Sequence, residues 1–280
     1  MPELPEVEVT KQSLEQHLQG KCIKSINIRE KRLRWDLDQT TLNSLLGQRI
    51  HNLSRRGKYI LINTKPGSAL LHLGMSGSIG VLENDQPLKK HDQPLKKHDH
   101  FDLIMSSDQI IRFNDPRRFG SFIWAGKNPE DHKLLNKLGP EPLENNDLGN
   151  HLYRLSKGRK TSVKAFIMNA QIVVGVGNIY ASEALFISGI HPKRKANRIS
   201  KKRYERLATA IQETLNNSIK MGGTTLRDFT YSQGEEKVGY FKQELFTYGR
   251  TGDECKRCRS PIRQIVLSGR SSFYCVNCQH

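Results

Sequence analysis

No stretch of this 280-residue chain approaches the roughly 20 apolar residues that a membrane-spanning helix needs, and no secretion signal is present. Cysteine is scarce. There are five, four of them in one array near the C-terminus, which argues against a secreted scaffold held by disulfides. Acidic residues are also in short supply, 28 Asp and Glu against 45 Lys and Arg, for a net charge of +17. The deficit is uneven: residues 1–150 hold 22 basic and 19 acidic groups, residues 151–280 hold 23 and 9. The glycine run Val174-Gly175-Val176-Gly177-Asn178 lacks the third glycine of a dinucleotide fingerprint, with Tyr180 near its place, which weakens a nucleotide-loop reading. Repetition is confined to one tandem copy, Asp85-Gln86-Pro87-Leu88-Lys89-Lys90-His91 followed by 92–98, too few units for a repeat fold. It reads as a solvated, weakly ordered loop.

What is present points to a polyanionic partner. Basic runs interleaved with Gly, Ser and Asn, and set on no strongly amphipathic anchor, favour nucleic acid over a membrane surface. The array Cys255-Lys256-Arg257-Cys258 and Cys275-Val276-Asn277-Cys278 has the knuckle spacing of a four-thiolate structural zinc site, with a β-hairpin's length between the pairs. Filled by four sulfurs, such an ion has no open position for catalysis. Cys22, in an alternating apolar run, reads as a small core residue.

The opening Met1-Pro2-Glu3-Leu4-Pro5-Glu6 has two readings. Pro near the first helical position and acids in the first turn are ordinary helix-start signals. Alternatively, trimming Met1 exposes a secondary amine. Attack on a sugar aldehyde then gives a cationic iminium that serves as an electron sink, with Glu3 and Glu6 beside it to move protons. Leu4, Val7, Leu14 and Leu18 keep helical spacing up to Gly20. Alternating runs at 22–28, 58–62, 69–73, 101–105, 110–113 and 119–124 then predict an antiparallel sandwich or barrel. Gly139-Pro140-Glu141-Pro142-Leu143 reads as an interdomain linker, and helical periodicity follows over 161–169, 178–188 and 200–221. The glycines of 174–178 read as a helix start whose N–H groups and Asn178 approach a DNA phosphate.

Five segments in one order carry a resemblance: the opening hexapeptide; His72-Leu73-Gly74-Met75-Ser76-Gly77; Asp115-Pro116-Arg117-Arg118-Phe119-Gly120; Val174 to Glu183; and the cysteine array. Over essentially its whole length the chain resembles bacterial formamidopyrimidine-DNA glycosylases, which remove 8-oxoguanine and ring-opened purines. Leu4, where the related endonuclease VIII group has Gly, favours the purine-lesion branch. The tandem loop departs from the family pattern, and its second copy, Lys97-His98-Asp99-His100, is the one that aligns.

The resemblance implies an α+β chain of two domains. An N-terminal helix and antiparallel β-sandwich (1–138) would precede a helix–two-turn–helix region (139–234) and a zinc-finger hairpin (235–280). It implies a bifunctional glycosylase and abasic-site lyase acting as a cytoplasmic monomer on damaged duplex DNA, with one structural zinc. In this reading Pro2 is the nucleophile, Glu3 its proton-transfer partner and Glu6 a support. Lys58 assists β-elimination, and Arg270 clamps the flanking phosphate for the δ step. Met75, Arg117 and Phe119 fill the void left by the extruded base. His72, His98, Arg159, Lys160 and Asn178 contact DNA, and 222–241 closes over the base. Two alternatives stand beside it: an endonuclease VIII-like enzyme for oxidised pyrimidines, and a damaged-DNA binder without chemistry.

Overall fold

The apolar spacing of the first eighteen residues produces helix α1 over Leu4–Leu18, with Leu4, Val7, Leu14 and Leu18 buried, and Gly20 at φ +78 turns the chain out of it. The computed structural model describes residues 2–82, 95–223 and 245–280. Most of the tandem loop and nearly all of the expected closing loop, 224–241, therefore lie outside the described residues.

The described residues form two compact units. The first comprises Pro2 and Glu6–Asn136. After α1 it runs through β1 (Ile23–Ile28), α2 (Gln39–Leu45), β2 (Ile50–Arg56), β3 (Tyr59–Thr64), β4 (Ser68–His72), β5 (Ser78–Leu82), β6 (Asp99–Met105), β7 (Ile110–Asn114) and β8 (Ser121–Gly126). These strands make two four-stranded antiparallel sheets, ordered β1-β6-β7-β5 and β2-β3-β4-β8. Alternation along each strand sends one face inward. Ile60, Ile62, Ala69, Leu71 and Phe122 of one sheet share a core with Ile79, Val81, Phe101, Leu103, Ile111 and Phe113 of the other, and Val7, Leu14 and Leu18 join it. At its centre Phe101 stacks on Phe113 at 5.0 Å and on Phe122, from the opposite sheet, at 5.2 Å.

Two of the expected features of this unit sit differently. Strand β8 begins at Ser121, not at 119, because Gly120 N–H is bonded to the side chain of Asp115 and Phe119 lies outside the ladder. Cys22 is half-buried at an isolated bridge to Arg49 and is not part of the core, because pairing at that edge is a single residue long.

The second unit comprises Glu3–Pro5, Lys137–Gly223 and the described C-terminal residues. Its elements are α3 (Leu148–Ser156), α4 (Val163–Ile167), α5 (Asn178–Ile187), α6 (Lys201–Lys220) and the antiparallel hairpin of β9 (Ile262–Leu267) and β10 (Arg270–Cys275). Helix α5 is buried nearly all round, and α6 packs an apolar face of Tyr204, Leu207, Ile211 and Leu215 against α3 and α5. Helix α4 is shorter than the run 161–169 predicts, starting where the Ser162 hydroxyl caps Ala165 N–H. The stretch 139–143 lies within this unit, tied down by Gly139 N–H to Ala170 O and Val174 N–H to Pro140 O.

Candidate active site and zinc module

In the second unit the glycine run receives the start of the chain. The Glu3 carboxylate, 1 % exposed, accepts hydrogen bonds from the backbone N–H groups of Gly177 (2.8 Å), Ile179 (2.9 Å) and Tyr180 (3.4 Å) at the start of α5. Four N–H groups at a helix start have no intrahelical partner, and the helix dipole favours a negative charge there. Leu4 N–H donates to Gly175 O at 3.1 Å. Both glycines are required by contact. A Cβ on Gly177 would stand 2.2 Å from Glu3 Cδ, and one on Gly175, whose φ is +80, would stand 2.5 Å from Leu4 Cδ1. This corrects the phosphate reading of the run, since the N–H groups of Gly177, Ile179 and Tyr180 are committed to Glu3. Asn178 is half-buried, and its Oδ1 is buried without a hydrogen-bond partner.

Lys164 of α4 is 1 % exposed and donates from Nζ to Ser271 O (3.0 Å) and Ser272 Oγ (2.9 Å). Burial pushes its pKa down to about 8, the Arg270 charge adds to the shift and the Glu3 charge opposes it. Arg270 itself is exposed at the first position of β10. Arg159 and Lys160 are exposed just after α3.

The four cysteine Sγ atoms lie within 4.8 Å of one another, Cys258 to Cys275 at 3.4 Å and Cys255 to Cys278 at 3.9 Å. Ligands about 2.3 Å from a tetrahedral ion stand about 3.8 Å apart, and disulfide sulfurs about 2 Å, so the donor set fits zinc and not a pair of disulfides. The module is tied to α5. Buried Glu183 accepts N–H bonds from Phe246, Thr247 and Tyr248, and Arg257 lies over the Phe186 ring at 4.6 Å.

In the first unit Pro2 is buried, Glu6 is buried in the first turn of α1, and Lys58 is half-buried in the two-residue turn between β2 and β3. Arg55 braces that turn, donating to Glu8 Oε2 of α1 at 2.8 Å and to Gly57 O at 3.1 Å. Burial would raise the Glu8 carboxyl, but its hydrogen bonds from Arg55 and Lys11 win and hold it below the ordinary range.

Two loops form the other cluster. Met75 is 39 % exposed between β4 and β5, and Phe119 is 43 % exposed before β8, with the Arg117 guanidinium 4.9 Å above its ring. Buried Asp115 joins the loops, with Oδ1 accepting from Ser76 Oγ (2.8 Å) and Arg117 N–H (3.2 Å) and Oδ2 from Gly120 N–H (2.7 Å). His98 meets the same cluster through its carbonyl, which accepts from Asp115 N–H at 3.0 Å. His72 ends β4, and its Nδ1 accepts Gly74 N–H at 3.0 Å, so the neutral ring carries its proton on Nε2. Burial pushes the His72 pKa down to about 4, with the positive charges of Lys58 and Arg34 adding and Asp115 opposing.

Family models cover these same segments. The formamidopyrimidine-DNA glycosylase N-terminal domain matches residues 1–122, its H2TH domain residues 138–230, and the zinc finger found in FPG and IleRS residues 252–280. The chain belongs to the formamidopyrimidine-DNA glycosylase family. The Nitrosococcus oceani and Stutzerimonas stutzeri formamidopyrimidine-DNA glycosylases are each 49 % identical to it, over 100 % of both chains. Lactococcus lactis Fpg, solved in complex with DNA containing an abasic site, matches with TM-score 0.86 at 30 % identity over 99 % of each chain. Thermus thermophilus MutM matches with TM-score 0.84 at 32 % identity over 99 % of this chain and 98 % of its own. The cysteine array is thus the family's structural zinc site.

Three groups in these sites carry no role in the sequence reading: Asp115, Lys164 and Glu183. Asp115 stands in a quoted motif, but its backbone and Ser76 partners are set by folding. Lys164 shows as a charge on the apolar face of Val163, Phe166 and Ile167, a signal available in the sequence.

Two outcomes follow. A histidine whose pKa is lower folded than unfolded supplies stability above its ordinary value, 6.5, and loses it as pH falls toward 4. Denaturant unfolding at pH 7 and pH 5 should therefore show a loss up to about 2 kcal/mol larger than in His72→Gln, where the contributions of His132 and His191, whose pKa values are also lowered, remain. Equal losses in both proteins would place the titration elsewhere. Cys275→Ser should reduce metal content from one zinc per chain to near zero and weaken DNA binding at least about tenfold, since ligation supplies such a module's folding energy. Undiminished binding by metal-free protein would contradict this.

Proposed function

We propose that this protein is a base-excision repair enzyme that removes oxidised or ring-opened purines from duplex DNA and then cleaves the abasic strand. Family membership over the whole chain supports it, as do structural relatives solved with DNA containing Fapy-dG or an abasic site. The observation that bears most on the chemistry is the clamp on Glu3. It anchors the chain one peptide bond from Pro2, so that an amine at a chain end, where order is ordinarily poorest, has a fixed attachment.

In this reading the neutral Pro2 nitrogen attacks C1′ of the damaged nucleotide. The new C1′–N bond forms as the glycosidic C–N bond breaks and the base departs with its electron pair and a proton. Ring opening gives a cationic Schiff base, which acidifies the 2′ hydrogens. Glu3, placed as a carboxylate acceptor, suits a group that takes the amine's proton and returns one to the opened ribose. Glu6 supports the amine's position. Lys58, on the turn braced by Arg55, assists β-elimination. Arg270, on the strand that Lys164 fixes, clamps the flanking phosphate, a role its permanent charge and forked donors suit better than proton transfer in the δ step.

Extruding the base leaves a hole in the stack. Met75 and Phe119 offer apolar surface to fill it and Arg117 offers donors to the orphaned partner, all three on loops joined by Asp115. His72, His98, Arg159 and Lys160 contact the backbone. Asn178, whose buried Oδ1 has no hydrogen-bond partner, joins them through its side-chain N–H2. We assign 1–138 to the catalytic domain, 139–234 to the helical domain and 235–280 to the zinc module. The bacterial cytoplasm is the proposed location; among the described residues no helix is long and apolar enough to cross a membrane.

Borohydride reduction during incubation with an 8-oxoguanine duplex tests this. The expected result is a covalent protein–DNA adduct that peptide mass spectrometry maps to Pro2, with excision of 8-oxoguanine and ring-opened purines faster than of oxidised pyrimidines. No adduct would favour a binder without chemistry, an adduct on a lysine would remove Pro2 from its role, and pyrimidine preference would favour the endonuclease VIII-like alternative.

A further inference from the structure

The basic excess of the C-terminal half is concentrated on one surface of the second unit. Residues 154–160 and 193–206 hold twelve Lys and Arg and a single acid, Glu205. The two segments are far apart in sequence, but folding joins them edge to edge. Ser162 and Lys195 form an antiparallel bridge, Val163 N–H donates to Arg194 O at 2.7 Å, Ala196 N–H to Thr161 O at 2.9 Å and Asn197 N–H to Arg159 O at 3.1 Å. Lys193, Arg194, Lys195, Arg198, Lys201 and Lys202 are all exposed, as are Arg159 and Lys160 beside them.

Little on this surface offsets the charge. Among the described residues no Asp or Glu side chain pairs with either segment, although half-buried Arg203 donates to Gly189 O (2.9 Å) and His280 O (2.8 Å). Lys201, Lys202 and Arg203 occupy the first turn of the twenty-residue helix α6, with no acid there and no side-chain cap from Ser200. That is the positive end of the helix dipole, where cations destabilise the fold and acids would be expected. The pKa of Arg203 is lowered, by burial first and by Arg194 and Arg206 second, as mutual repulsion requires. An arrangement unfavourable within the folded chain becomes favourable once an external polyanion covers it.

We propose that this surface is an accessory binding site for the phosphate backbone of duplex DNA, extending the protein's footprint along undamaged duplex beyond the residues that handle the lesion. The proposal rests on the reading of the protein as a DNA-acting enzyme. An anionic membrane is the less fitting partner. None of the exposed large apolar side chains, Leu46, Met75, Leu95, Phe119, Met221 and Val266, lies in either segment to insert into a bilayer.

The test uses full-length, zinc-loaded protein in three forms: the parent, a quadruple variant (Lys193→Gln, Lys195→Gln, Lys201→Gln, Lys202→Gln), and a charge-matched control of exposed lysines in the first unit (Lys31→Gln, Lys65→Gln, Lys127→Gln, Lys133→Gln). The affinity of each for a long undamaged duplex is measured against salt. Each lost phosphate contact should lower the slope of log K against log salt by about 0.9, so the quadruple variant should lose about three to four units of slope and the control far fewer. Its melting temperature should be unchanged or higher, because two cations leave the positive end of α6. An unchanged slope, or an equal fall in the control, would overturn the proposal. So would an unchanged slope combined with lost binding to vesicles rich in anionic lipid, which would assign the surface to a membrane. Excision by the parent from a short lesion duplex reads the glycosylase function separately, so the two failures are told apart.

Discussion

The placement of the first residues depends on one buried carboxylate. Glu3 enters the positive end of α5 and takes three backbone N–H groups, and charged hydrogen bonds of this kind are worth about 1.5–3 kcal/mol each. A chain terminus ordinarily frays because few contacts repay the entropy of ordering it. Here the carboxylate, the Leu4 N–H bond to Gly175 and the buried Leu4 side chain hold it. The arrangement tolerates no side chain at Gly177 and none at Gly175, so the glycine run and the opening hexapeptide are two halves of one contact.

The same device recurs wherever a segment has to be fixed. Asp115 joins the Phe119 loop, by its Arg117 and Gly120 N–H groups, to the Met75 loop, by the Ser76 hydroxyl, and Glu183 holds the lead-in to the zinc module by three successive N–H groups. Among the described residues the buried Asp, Glu, Lys and Arg side chains are seven acids and one base, Lys164. A chain with net charge +17 thus buries several acids, Glu3, Asp115 and Glu183 on backbone N–H groups and Asp102 on Arg29 and Arg112, and leaves nearly all its cations outside for an anionic partner.

Much of this was legible in the sequence where the signal is local. Alternation located β1, β3, β4, β6 and β7, and the two C-x-x-C pairs marked the zinc site. Elements whose apolar pattern is thin did not show. Strand β2 reads Ile-His-Asn-Leu-Ser-Arg-Arg, with its two buried residues three apart, β5 carries a central glycine, and α3 begins at Leu148-Gly149 with no side-chain cap from Asp147. Helix α2, with its paired threonines, was equally silent. The glycine run looks like a phosphate cradle in sequence because its true anion, Glu3, lies 174 residues away. The role of Glu183 does not show for the same reason, since a bond to a distant backbone N–H leaves no side-chain pattern to read, and Asp115, though its N–H partners are two and five residues away, reaches the Met75 loop only through Ser76, 39 residues off. Met75 and Phe119 could be placed on loops from the flanking glycines and the family motif, but their junction through Asp115 required the fold.

The most direct test of the clamp is Gly177→Ala, assayed by the single-turnover rate of Schiff-base trapping on lesion DNA. The added methyl would lie 2.2 Å from Glu3 Cδ and must displace it. A shift of about 1 Å at a reacting group can cost about a hundredfold, so trapping should slow by at least about that factor while zinc content stays at one per chain. Trapping at the parental rate would mean that the Glu3 contact does not position the amine, and the account built on it would fail.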